Sequence, residues 1–241
     1  MSSFDSSAIQ KEIQSIIHRY RTTTGLEIIF NEVDNIPDAG NAVGELKFLP
    51  QACITLKKSL SPEESQQTSL HELLHLNLTM DGYPRLRVVS DNNGDASNLA
   101  AHLESLFQHR VIFEIEKRFS YDPLKQEKNA ASSILDQLSN IESFGSPSDS
   151  LWHFRYCAWG AVFARIIVFL DGTDEFRSMQ QALNNSNFSY SYSKAKEIAQ
   201  VVTSSDLSSA KSYTVAVLKV LTEIVKSDRV VIASPIFPLD T

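Results

Sequence analysis

Cysteine is scarce: two residues in 241, Cys53 and Cys157, neither in a CxxC pair. That points to reduced core thiols in a cytosolic protein rather than a disulfide framework. Basic residues are also in short supply, with 22 Lys and Arg against 29 Asp and Glu and a formal net charge of -7. The balance argues against a nucleic-acid partner, and "RLR" at 85–87 and "HR" at 109–110 are too sparse to make a basic groove. No GxxxxGK or GxGxxG occurs, so no phosphate-cradling loop is expected. The absence of GxSxG leaves a serine hydrolase unsupported. The amino terminus, "MSSFDSSAIQKEIQ", lacks the basic start and apolar run of a secretion signal. The most apolar stretch, "YCAWGAVFARIIVFL" at 156–170, is interrupted by Arg165 and falls short of the ~20 residues that span a bilayer. A soluble cytoplasmic protein is the expectation, with no membrane partner. No internal repeat is visible, and the oligomeric state is not encoded in any pattern.

What is present is enough for a core: 42% of the chain is hydrophobic. Ile9, Ile13, Ile16, Ile17 and Tyr20 form a helical stripe over 8–20, ended by Gly25. "LEIIF" at 26–30 reads as a strand. "ELKFL" and "ACITLK" alternate apolar and polar residues as half-buried strands do, with Pro50 as the turn between them. Ser61, Pro62 and Glu64 then spell a helix start: an N-cap, a first-turn proline and a capping box. Asp81-Gly82 followed by Pro84 spells its end. Residues 84–97 read as a loop and 98–119 as a second long helix. Helices are also expected near 151–170, 174–184, 192–203 and 207–227, with a Gly/Ser/Pro break at 145–150. The fold class is therefore α+β: a small antiparallel or mixed sheet packed on one helix, with a largely helical C-terminal half. Residues 1–120 would form the core and residues 121–241 a helical part packed on it, the whole being one compact domain.

The helix that starts at Ser61 carries "HELLH" at 71–75. Residues four apart share a helix face, so His71 and His75 can present imidazoles to one ion. Two nitrogen donors suit zinc. Glu72, next to His71, can hold a water at that ion and act as general base, taking its proton and later passing it to a leaving amine. The motif fixes only three residues and recurs by chance, the alternative being a buried helix whose histidines satisfy local hydrogen bonds. The well-capped helix and the strands before it favour the metal site, since an edge strand beside such a helix can bind an extended peptide.

A catalytic zinc needs a third protein ligand. On the second helix, His102, His109 and Phe113 fall on one stripe at the edge of the apolar face. His109 is the preferred third ligand, Glu104 the alternative, and His102 comes after them; Asp95 precedes the helix and Glu114 lies late on it. His18 and His153 read as surface or structural residues. Tyr83 and Tyr121 follow the two helices as candidate oxyanion donors, with packing or surface roles as the plainer reading.

With His71, Glu72 and His75 on a helix preceded by strands, the sequence resembles a zincin-type HExxH metallopeptidase. The order helix, strands, HExxH helix, loop, second helix is also similar to small bacterial metallopeptidase-like domains of the IrrE/ImmA type, over residues 8–120. In those domains the second helix carries an acidic ligand near an Ala-Asn-x-Phe-Ala pattern. "DASNLAAHLE" matches it loosely, with Asp95 and Glu104 as the acidic candidates. No HExxHxxGxxH follows, which excludes a metzincin. The resemblance implies a zinc-dependent peptidase acting on a protein or peptide. The alternative is a zincin-like regulatory or protein-binding module with structural metal or no catalysis.

Overall fold

A computed structural model describes residues 6–36, 43–48, 51–91, 94–119, 122–138, 146, 148–184 and 188–233. The turn expected at Pro50, Tyr121, and residues 145 and 147 of the expected break fall outside these residues. The chain divides into two compact units. One comprises residues 1–82, 112–122 and 235–241, the other residues 83–111 and 123–234. The protein is α+β, as the patterning implies.

In the first unit, helix α1 (Ser6–Thr24) buries Ile9, Ile13, Ile16 and Tyr20, the stripe read from the sequence. It stops at Gly25, whose φ of 70° continues the chain in the left-handed region that side chains avoid. The Tyr20 hydroxyl reaches the sheet and accepts a hydrogen bond from the Ala52 amide at 3.0 Å. The sheet has three strands in the order β1 (Ile29–Val33), β3 (Cys53–Lys57), β2 (Gly44–Lys47). β3 is central, parallel to β1 and antiparallel to β2, so the sheet is mixed. Its alternation holds: Ile54 and Leu56 are buried while Cys53, Thr55 and Lys57 are half-buried. The first strand begins at Ile29, three residues later than its apolar run suggests. It is exposed along most of its length, so β-propensity rather than burial pattern was the signal there.

Helix α2 (Pro62–Met80) packs on α1, β2 and β3. Its start is set by the expected capping box: the Glu64 amide donates to Ser61 Oγ at 3.2 Å and the Ser61 amide to Glu64 Oε2 at 3.1 Å. It ends at Asp81, which is tied to Arg19 of α1 at 2.7 Å, and the chain turns at Gly82, whose φ is 81°. Leu70, Leu73, Leu74, Leu76 and Leu78 are all at most 3% exposed, so the second half of α2 is buried nearly all round. A helix surrounded in this way holds its few polar residues in fixed places.

In the second unit the expected loop after Pro84 contains a strand, β4 (Arg85–Val88). It pairs antiparallel with β5 (Val230–Ala233), Arg85 opposite Ala233 and Val88 opposite Val230. No local signal links segments so far apart in sequence. Helix α3 (Asp95–Glu116) follows; its first 17 residues belong to this unit and its end, from Ile112, to the first. α4 (Leu124–Leu138), α5 (Ser150–Leu170), α6 (Asp174–Asn184) and α7 (Ser189–Ser204) come next. α8 (Ala210–Lys219) runs on into one π-helical stretch, Val220–Val225. α5 supplies much of this unit's apolar core: Phe154, Cys157, Ala161, Phe163, Ala164 and Leu170 are buried. It is long and apolar enough to cross a membrane, yet 61% of that window is buried within the protein. It packs most closely on α7 at Gly160, where a Cβ would come within 3.2 Å of the Ser191 carbonyl.

Candidate metal centre

The four-residue spacing does what helix geometry requires. His71 and His75 stack edge to face, ring centroids 4.9 Å apart, and their Nε2 atoms point at each other across 3.3 Å. Two nitrogens that close can share one proton or, both bare, one cation. Ligand nitrogens at ~2.0–2.1 Å from a tetrahedral zinc lie about 3.3 Å apart, so the pair already has the spacing of two corners. His71 and His75 thus lie close together within the first unit and could hold a metal ion; His109 belongs to the second unit. The donor set is nitrogen only, which suits zinc and other borderline divalent ions better than calcium or magnesium.

Each of two histidines has a buried carboxylate on its Nδ1. In the first unit, Glu116 Oε1 lies 2.8 Å from His71 Nδ1, and Glu116 is 1% exposed. Its other oxygen, Oε2, has no hydrogen-bond partner among the described residues. In the second unit, Glu127 Oε1 lies 3.1 Å from His109 Nδ1. Burial would raise the Glu127 carboxyl, but the Arg165 guanidinium and the His109 ring outweigh it and bring it down to about 2. Glu127 is thus an anion that can only accept, so the proton in its contact with His109 belongs on Nδ1. An imidazole that donates from Nδ1 keeps its Nε2 lone pair for a metal, the usual arrangement around ligating histidines.

Glu72 is buried beside His71. Burial is the main cause that raises its carboxyl above the ordinary range; the His71 ring opposes this, and the Glu45 and Glu116 carboxylates add to it. The groups acting on it are therefore one imidazole and two more acids. β2, an edge strand, runs against this carboxylate. A Cβ on Gly44 would sit 3.0 Å from Glu72 Oε1 and 2.5 Å from Thr68 Cγ2, so only glycine fits there without displacement. Glu45 is the next residue on the same strand.

The other candidates are placed elsewhere. Glu104 ion-pairs with Arg85 and accepts a hydrogen bond from the Leu86 amide at 2.8 Å. It supports the start of β4 and is not among the groups that gather with the histidines. Asp95 pairs with Arg155 at 2.9 Å. The Tyr83 hydroxyl donates to the Leu207 carbonyl at 3.2 Å. Glu114 pairs with Lys117 at 2.9 Å. His102 is half-buried, and its pKa falls to about 4 through burial and the nearby Arg165 charge. His18 is exposed, and His153 Nε2 donates to the Val225 carbonyl at 2.6 Å. Cys53 and Cys157 are both free thiols.

Glu116 and Glu127 were not singled out from the sequence. For Glu116 a signal existed: it continues the stripe 102, 109, 116, two helical turns per step. For Glu127, on another helix, none did. Comparison of the chain with protein-family models, with curated proteins and with solved structures returned no match.

Proposed function

We propose that this chain is a zinc-dependent metallopeptidase that hydrolyses a protein or peptide bond in the cytoplasm. His71, His75 and His109 would be the metal ligands and Glu72 the general base. The observation that carries the reading is the approach of two imidazole nitrogens, from His71 and His75, to 3.3 Å beside one buried carboxylate; His109 as third ligand rests on the sequence pattern. The residues fit the ion: the imidazole donors suit zinc, and the groups that act on the buried Glu72 carboxyl are one imidazole and two acids. When bound, zinc supplies a Lewis acid that polarises a carbonyl and makes water nucleophilic near neutral pH.

The chain's own groups do the rest. Glu116 holds the His71 ring by its Nδ1 and so directs Nε2 into the site. Glu72 takes one proton from the attacking water and delivers it to the amide nitrogen as the C–N bond breaks, leaving an acid and an amine. A raised carboxyl suits both halves of that task, because donor and acceptor forms are then close in energy. β2 has one unpaired edge among the described strands, beside Glu72, where an extended peptide could add antiparallel.

One observation favours the second reading, a zincin-like regulatory or protein-binding module that holds metal structurally or none. Gly44 lies so near Glu72 that the room for water on that side is small. The two readings separate in one experiment. Purified protein is assayed for zinc content and for cleavage of a mixed peptide pool, alongside Glu72→Gln. The peptidase reading expects stoichiometric zinc in both proteins and cleavage in the wild type alone, with a loss of at least a hundredfold in the variant. Zinc without cleavage in either favours the module; no zinc in any preparation removes both metal readings.

A further inference from the structure

We draw no further inference here: the strongest candidate, the apolar patch that Leu26, Ile29 and Phe30 expose at β1 on the edge of the first unit's three-stranded sheet, carries nothing because nothing among the described residues shows what covers it.

Discussion

The two imidazole–carboxylate pairs are alike in contact and unlike in support. His71–Glu116 and His109–Glu127 each join a ring Nδ1 to a buried glutamate oxygen, at 2.8 and 3.1 Å. Around Glu127 the charge is balanced, because Arg165 takes both carboxylate oxygens. Around Glu116 the described partner of one oxygen is an imidazole and the second oxygen has no described hydrogen bond, while Glu72 nearby is made harder to ionise by burial and by the Glu45 and Glu116 carboxylates. The His109–Glu127 pair has its counter-charge within the protein. The His71–Glu116 pair sits in a cluster of acids and two facing imidazoles whose charge a divalent cation would balance. A buried charge without its counter-charge costs several kcal/mol, so the difference between the two is energetic as well as geometric.

The largest effect should come from the cation. Zinc at a thousand times its dissociation constant should stabilise the fold by about 4 kcal/mol, seen as a rise in unfolding temperature that chelator reverses. No rise would put the unbalanced cluster in doubt as an ion site. Next comes a direct contrast in metal-free protein. Glu127→Ala strands the Arg165 guanidinium, which is 22% exposed in its side chain, and should cost about 3 kcal/mol in urea unfolding. Glu116→Ala removes one acid from a crowd of acids and should cost about 1 kcal/mol or less. Similar losses in both would erase the comparison.

A pH experiment sharpens it further. His102, near Arg165, has its folded pKa lowered from 6.5 to about 4 by burial first and by that charge second. The unfolded chain therefore binds the proton more readily. The stability this residue contributes is fully present above pH 6.5 and is lost as pH falls towards 4. His102→Gln should flatten that part of the pH–stability curve; an unchanged slope would remove the Arg165 field from the account. The smallest expected effect is at the edge of the site. Ser61→Ala removes the cap that starts α2 and should cost about 1 kcal/mol without altering zinc affinity. An altered affinity would mean that the cap, and not the core around HELLH, holds the two rings in place.

Much of this arrangement was legible in the residues. The stripe of α1, the alternation of β3, and the start and stop of α2 are local patterns, and each was met within a few residues. The apolar segments after residue 150 were read as helices, and residues 174–184 match in full. The strand at 85–88 was missed because its partner lies at 230–233, and four residues without a hairpin turn carry no pairing signal of their own. Among acids, Glu104 had the more suggestive position, but Arg85 and the Leu86 amide hold it at β4.

By itself the sequence determined that two imidazoles and a carboxylate share a capped helix, since a helical repeat of 3.6 residues places side chains four apart on one face whatever surrounds them. Tertiary structure alone decided which acids face the rings of His71 and His109 and which glutamate is drawn off to a strand. Those contacts join residues 18 to 45 positions apart. Their partners are chosen by how buried charge is balanced across packed helices, and no periodicity along the chain encodes that.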